Sequence, residues 1–560
     1  MHPKVWRRRL APPAGFARSL GLPPFQAHLL YNRGIRRPEE LDAYMAADLR
    51  LANDPMLLPD MGKAVARLER ALATGEVIGV FGDFDTDGVT GTALLVDALQ
   101  ELGSRVVPYL PDRLDEGHGL NAEAIESLRA KGVSLLVTVD CGVSSVEEVR
   151  LASSMEIDTI ITDHHSLPSS IPDALAIVNP RRPDSSYPYH GLTGVGISFK
   201  LIEALWAALG RPRPDHLLEL VALGTVADVG PLTGENRHLV KWGLERLNET
   251  RHPGLRALVA RSRLKLGSLD TESLSFGLIP RLNAAGRLGD ASLSLELLTA
   301  TSPEAAERIA EDLERLNDER RLLTAEGVAQ AREQVELQSQ TVPPIIIVQH
   351  REWQPGILGL IAGGLSESFY RPVVAISLGE QVSRASARSI PEFDIVEALQ
   401  GSSGLFHRFG GHPQAAGFTM PTRHLARLKR DLAAAADGKM EGADLVPTIE
   451  IDCEISPALL DDQNFGFIQA LRPFGEGNPA PVFLTRNAVV AEARRVGKRR
   501  NHLKMRIAHG ESSWEAIAFG QGDKAADSGA TVDIVYTVGL NDWGGRQTMQ
   551  LNVLDFRPAH

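Results

Sequence analysis

The chain has 560 residues, 43% of them hydrophobic and 23% charged, with a formal net charge of -12. That is ordinary globular composition, enough for about four domains at ~150 residues each, and its acidity argues against a protein that coats nucleic acid over its whole surface. No apolar run approaches the ~18 residues of a membrane span, and the N-terminus MHPKVWRRRLAPPAGF lacks the apolar core of a signal peptide. Cys141 and Cys453 supply neither a disulfide framework nor a cysteine-rich zinc site, so a reducing cytoplasmic location without a membrane partner is expected.

From Val77 onward, β-type runs alternate with helical ones. The strands are VIGVF, RVVPYL (Arg105 to Leu110), SLLVTV (Ser134 to Val139) and DTIIT (Asp158 to Thr162). Helices are predicted at Thr90 to Leu102, Asn121 to Lys131 and Ser145 to Met155. The pattern implies an open α/β domain with a parallel sheet. Its continuation from Gly196 to about Ala260 reads as helical, and a break is expected at GLIPRLNAAGRLGD. A long helix then begins, with Ser302 as N-cap, Pro303 at its first position and apolar residues at Ile309, Leu313, Leu316 and Leu323; running to about Leu337, it reads as a strut between two lobes. A second α/β lobe starts at PPIIIVQH, continues through a helix near Ile357 to Ser368, PVVAIS and SRASARS, and ends near Gly438. From Pro447 the pattern becomes all-β, and an OB-fold is expected. The boundaries are residues 1–74 for an N-terminal segment packing on the first domain, 75–300 for that domain, 301–340 for the connecting helix, 341–440 for the second lobe and 445–560 for the barrel.

The stretch VFGDFDTDGVTG places Asp83, Asp85 and Asp87 at alternate positions. A calcium loop of the EF-hand type needs a Glu at its twelfth position, which is Leu94 here, and must follow a helix rather than a strand. A phosphate-cradling P-loop needs a lysine that this stretch lacks. In open parallel sheets, sites form outside the carboxyl ends of the strands. TVDCGVSS puts Asp140 after one strand, IITDHHSLP puts Asp163, His164 and His165 after the next, and Asp228 in VALGTVADVGPL can return to the same edge. Each alone is more often a turn or helix cap. Together, carboxylates about 4 Å apart repel by roughly 4 kcal/mol per pair at an effective dielectric of 20, which divalent cations relieve. Carboxylates and imidazole without thiolate favour manganese or magnesium over zinc or iron. Two ions about 3.5–4 Å apart would activate water and neutralise charge in hydrolysis of a phosphoester or phosphoanhydride.

Other residues point to a polyanion. A strand period of two puts Arg384, Ser386 and Arg388 of SRASARS on one face, a row suited to phosphates. The glycines of FGGHPQAAGF permit close backbone approach, with His412 as a donor. The run RRVGKRRNHLKMR carries Arg494, Arg495, Lys498, Arg499, Arg500, Lys504 and Arg506 and no acid. In an OB-fold it would line a cationic groove with Trp514, Phe519 and Trp543 as stacking rings, Phe519 being the one expected in the barrel core.

DFDTDGVTG, TVDCG, TDHH and GTVADVGPL, in this order, resemble the DHH phosphoesterase superfamily. IPRLNAAGR, RASARS and FGGHPQAAGF are similar to elements of its RecJ family of bacterial single-strand-specific 5′-to-3′ exonucleases, and the likeness runs from about Gly75 to Asp555. The resemblance implies Asp85, Asp87, Asp140, His164 and Asp228 as metal ligands with Asp140 as bridge, Asp83 joining or orienting them, and His165 acting on the scissile phosphate or leaving group. His165, Asp140 and Asp83 are thus the catalytic candidates, with two divalent ions, manganese first and magnesium as alternative. It further implies that the second lobe is the substrate-recognition domain named DHHA1, with Arg113, Arg281 and Arg287 as further substrate contacts. The expected substrate is single-stranded DNA, released as 5′-mononucleotides in repair and recombination, by a monomer with single-strand-binding protein and a helicase as candidate partners. Two departures stand out: Gln354 in REWQPG replaces a common His, and DFDTDG replaces DYDADG. An additional C-terminal interaction domain of some relatives is not expected beyond the barrel. The alternatives are a DHH phosphodiesterase for short oligonucleotides or cyclic dinucleotides, and a non-catalytic single-strand-binding scaffold.

Overall fold

In the computed structural model, which describes residues 4–113, 116–338, 341–440, 442, 445–524, 528–543 and 546–559, Ala52–Leu445 forms one unit, and the segment before Ala52 with the chain from Val446 onward forms the other.

Continuous apolar runs dictate the centre of the first unit. Val77–Gly82 is buried throughout and Val133–Val139 nearly so, as strands covered on both faces must be. The sheet order is Arg105–Tyr109, Val77–Gly82, Val133–Val139, Asp158–Thr162, Ala176–Val178, with every pair parallel. One face, with Val80, Val137 and Ile160, packs on Thr86–Glu101 and Gly194–Ala208. The other, with Phe81, Leu136 and Ile161, packs on Ala122–Ala130 and Val146–Ser154. The register decides where the chemistry emerges. Gly82 lies opposite Val139, Val139 opposite Thr162, and Thr162 opposite Val178. The next residue of each strand therefore leaves the same edge: Asp83, Asp140, Asp163 and Asn179.

Two local expectations are corrected. The helix after the first strand starts at Thr86 rather than Thr90, because Asp85 caps it, accepting from the Asp87 N–H at 2.9 Å and the Gly88 N–H at 3.2 Å. The expected break at GLIPRLNAAGRLGD is instead the helix Ile279–Leu288, entered through a π-turn at Leu274–Leu278. The wider turn accommodates Pro280, which has no N–H to give a regular helix.

The long helix is Pro303–Gln338, and the Ser302 hydroxyl accepts from the Ala305 N–H at 3.3 Å as its cap. Ala306, Ala310 and Leu313 are buried in the first lobe's core, and Ala331 and Val335 in the second's. The second lobe has the sheet order Arg408–His412, Ala415–Pro421, Val382–Arg388, Val373–Ser377, Ile346–His350. Leu358–Phe369 and the end of the long helix cover one face, and Leu425–Met440 the other.

In the second unit, Phe483–Val496, His502–His509, Ser512–Ala518, Arg546–Pro558 and Thr531–Trp543 pair in sequence, and the last returns to the first, closing the OB barrel. The runs PVFL and AVVAEARRV are one strand whose register shifts at Thr485/Ala488 and Val490/Glu492 turn a barrel corner. The N-terminal segment does not pack as a whole on the first domain. Phe16, Leu20, Phe25, Leu29 and Leu30 share a core with Phe483, Tyr536 and Val553 of the barrel, and Val5–Arg8 pairs with Thr448–Ile451. Only the later part, including Met61–Thr74, joins the first lobe, through Met61, Ala64 and Leu68. No helix among the described residues is long and apolar enough to cross a membrane.

Candidate metal centre

The sheet edge gathers three overlapping sets of ligand atoms, each within 4.8 Å: Asp83, Asp85 and Asp140; Asp87, His164 and Asp228; and Asp140, His164 and His165. Asp140 belongs to two of them, and its Oδ1 lies 3.0 Å from His164 Nε2, which is also 3.7 Å from Asp228 Oδ2. All six expected metal residues thus meet.

Each is held by local backbone chemistry. Asp140 adopts φ +60°, a left-handed conformation unusual at a strand end. Asp87 accepts from the N–H groups of Gly194 at 2.6 Å and Val195 at 2.9 Å, the N-terminus of a second helix. A side chain at Gly194 would put its Cβ 2.5 Å from the Asp140 Cβ, and one at Gly88 would sit 2.4 Å from the Asp83 carbonyl oxygen. These glycines let the helices approach the acids. Asp228 ends the helix Leu218–Ala227, and Val229 after it takes φ +56°, costing roughly 1–2 kcal/mol for a left-handed residue. Asp163 stands behind the ligands: its carboxylate accepts from the Val143 N–H at 3.1 Å and the His165 N–H at 3.0 Å, and its Oδ1 lies 2.7 Å from His165 Nδ1.

The electrostatics describe a site built for cations. Burial, then Asp87 and its neighbours, holds the Asp140 carboxyl well above the usual range; burial and Asp228 do the same to Asp87; burial and Asp83 raise Asp85. Asp228 is pushed up to about 7 by burial and Asp85. His164 is pushed down to about 3, by burial and then by His165, so its imidazole is neutral and a competent ligand. Asp83 Oδ1, Asp140 Oδ1 and His164 Nε2 are buried without an aligned hydrogen bond, the last two facing each other at 3.0 Å. Buried carboxylate oxygen and imidazole nitrogen converging on one point fit divalent cations, whose charge would keep the carboxylates ionised. His165 behaves oppositely: burial lowers it, but the hydrogen bond and charge of Asp163 outweigh that and raise it to about 9.

A cationic group stands beside this cluster. Arg287 is pushed down to about 9 by burial and by Arg113, Arg320 and Arg388, with Asp85 opposing. Arg113 and Arg388 are also lowered, chiefly by burial. Arg113 stacks over Phe84, 4.2 Å from the ring centroid, and Arg388 lies 3.4 Å from the Ser386 hydroxyl. The period-two reading agrees with the burial: Ser383, Ala385 and Ala387 point to the core, while Arg384, Ser386 and Arg388 do not. His412 stacks on His165 with centroids 6.2 Å apart. Arg281 does not join this group, since it is ion-paired with Glu314 of the long helix and donates to the Gly277 carbonyl at 2.6 Å.

Sequence reasoning missed three contributors. His118 Nδ1 lies 3.1 Å from Asp83 Oδ2, Asn283 Oδ1 accepts from the Thr86 N–H at 3.1 Å, and the Gly194 and Val195 amides hold Asp87. Asn283 lies inside IPRLNAAGR and was findable there; an isolated loop histidine and backbone amides leave no pattern. On the barrel, Arg494, Lys498, Arg499 and Arg500 are exposed, whereas Lys504 pairs with Glu515 at 3.0 Å, Arg506 with Glu492 at 3.1 Å and Arg495 with Asp523 at 4.0 Å. Trp514 packs partly into the barrel core. Phe519, expected in that core, is 63% exposed and meets His502 edge-on, because the strand Ser512–Ala518 ends just before it. The side chain of Trp543 lies outside the described residues. Gln354 ends a loop where its backbone carbonyl accepts from the Ile357 N–H at 3.2 Å.

Comparison with known proteins agrees with this arrangement. Residues 77–225 match the DHH family N-terminal domain, 342–440 the DHHA1 domain and 451–555 the RecJ OB domain. The chain is 36% identical over 555 residues to the single-stranded-DNA-specific exonuclease RecJ of Dickeya dadantii, covering 95% of each chain. It is 35% identical over 540 residues to the protein of the same name from Bacillus subtilis, covering 96% of this chain and 68% of that one. The crystal structure of RecJ in complex with Mn2+ from Thermus thermophilus superposes with a TM-score of 0.84 at 33% identity, over 99% of this chain and 80% of that one. Its three matched domains and near full-length likeness place the chain in the RecJ family.

Proposed function

We propose that the chain hydrolyses single-stranded DNA from its 5′ end, releasing 5′-mononucleotides, with Asp83, Asp85, Asp87, Asp140, His164 and Asp228 holding two divalent ions, manganese or magnesium. The observation that supports this best is a largely buried acid and imidazole cluster, in which Asp83 Oδ1, Asp140 Oδ1 and His164 Nε2 lack an aligned hydrogen bond, beside the half-buried Arg113, Arg287 and Arg388. When bound, the ions supply water activation and charge neutralisation at the attacked phosphate. Arg113, Arg287 and Arg388, with Ser386, bind the terminal 5′-phosphate and set the distance to the scissile bond, which gives the polarity. Water gives up one proton to solvent as its oxygen adds to the phosphorus of the next phosphate, and the P–O3′ bond breaks. Protonated His165, oriented by Asp163, gives its proton to the departing O3′. The shortened strand again ends in a 5′-phosphate, which the arginines rebind for the next cycle. His412, stacked on His165, contacts the same phosphate from the second lobe.

The exposed arginines of the barrel, with Phe519, bind the strand downstream. Unpaired, buried Cys141 and Cys453 suit a reducing cytoplasm, and a single-strand specialist calls for a helicase and single-strand-binding protein as partners. The test is hydrolysis of 5′- and 3′-labelled strands with manganese. Mononucleotides appear from the 5′ end, and Asp140→Ala lowers kcat by at least about 10³-fold, since several kcal/mol of transition-state stabilisation are lost. Activity confined to dinucleotides, or binding without cleavage, would overturn the reading.

A further inference from the structure

Phe276 is a large apolar side chain left in solvent, 79% exposed, on the π-turn Leu274–Leu278. Such helix irregularities collect at functional positions. Leu274 and Leu278 are buried in the lobe's core, and Arg281 fixes the intervening Gly277 carbonyl at 2.6 Å while paired to Glu314. The turn is therefore pinned from both sides with its ring facing outward.

The same helical run leads to the metal centre. Phe276, Pro280, Asn283 and Arg287 recur at helical spacing and form a stripe that is not fully buried. Asn283 holds the start of the aspartate-bearing helix, and Arg287 belongs to the arginine group. From Phe276 to Arg287 the axis advances roughly 16 Å. On the other side, Leu264 packs over Gly277, and its chain neighbours Arg263 and Lys265 are exposed. An exposed aromatic ring on a pinned turn, with Arg263 and Lys265 flanking the leucine that covers the turn and the arginine group further along the same helical run, has the chemistry of a single-strand track: a base stacks on the ring and the phosphates pair with the cations. A protein partner would be expected to find an apolar surround here rather than cations.

We infer that Phe276, with Arg263 and Lys265, is a binding subsite for a nucleotide of the single strand on the 3′ side of the scissile bond. This rests on the exonuclease reading above. Steady-state kinetics on a long single strand and on a dinucleotide test it. Phe276→Ala raises KM for the long strand about ten-fold with kcat little changed, raises it far less for the dinucleotide, and Phe276→Trp restores the wild-type KM. Arg263→Glu with Lys265→Glu weakens long-strand binding and reduces its salt dependence. An unchanged KM on the long strand, or an equal rise on both substrates, would overturn the subsite while leaving the exonuclease reading intact. A wild-type chain inert on single strands would overturn both.

Discussion

Two regions of this molecule are crowded with like charge, and they solve the problem in opposite ways. The barrel's Arg494, Lys498, Arg499 and Arg500 stand in water, where high dielectric and salt keep their repulsion small. Of the acids at the sheet edge, Asp83, Asp87 and Asp140 are buried and Asp85 and Asp228 half-buried, and loss of water with mutual repulsion holds Asp85, Asp87, Asp140 and Asp228 above their usual range. A buried cluster of one sign demands a ligand of the other, while an exposed one only attracts it. The first arrangement suits binding that fixes atoms for chemistry, and the second suits steering and grip.

The comparison can be broken at the half-buried arginines, which are proposed to bind the substrate's terminal phosphate. Arg388→Ala is expected to lower kcat/KM on 5′-phosphorylated strands by about 10- to 100-fold, the worth of a charge-assisted hydrogen bond. Strands with a 5′-hydroxyl end lose much less. Equal losses on both would show that Arg388 does not read the terminal phosphate. At the exposed region the effect is smaller. Arg499→Glu with Arg500→Glu should weaken single-strand affinity about ten-fold at moderate salt and flatten the slope of log affinity against log salt by roughly 0.7 per lost contact. Unchanged affinity in a binding titration would remove the barrel loop from the substrate path.

A third region sharpens the contrast, because it is half-buried and acidic yet lies outside the metal centre. Asp97 is pushed up to about 7 by burial and then Glu101, and Glu219 to about 7 by burial with Asp97 adding to it. An acid whose folded value is raised binds its proton more tightly when folded, so stability falls as pH rises from about 4 to about 7. Asp97→Asn should therefore leave stability unchanged near pH 4 and raise it on the order of 1–2 kcal/mol at pH 8, read by urea unfolding. A gain independent of pH would mean that packing, not charge, is responsible.

Much of the catalytic lobe was legible because its signals are local. Fully apolar β-branched runs separated by amphipathic helices admit few arrangements, and the carboxyl-end rule then places Asp83, Asp140 and Asp163 together. Ser302 and Pro303 announced the long helix by its cap. What escaped depends on distant partners. Pro280 looks like a terminator until the π-turn before it is known, and the Glu314 partner of Arg281 is invisible until the long helix brings it alongside. Phe519 looks like core because strand periodicity does not show where a strand stops. The N-terminal helices carry apolar faces that would suit either lobe; the sequence holds no local mark that theirs is the barrel.

That last pairing has a consequence for biosynthesis. Trp6 Nε1 donates to Asp555 Oδ2 at 2.8 Å, a contact spanning 549 positions, and Val5–Arg8 finds its strand partner only at Thr448–Ile451. At about 5–20 residues per second, Trp6 waits on the order of half a minute to two minutes for Asp555 to be made. During that interval Phe16, Leu20, Phe25 and Leu29 have no core to enter, while the catalytic lobe can already close around its own sheet. The leading helices thus gain their packing partner only when the barrel has been made.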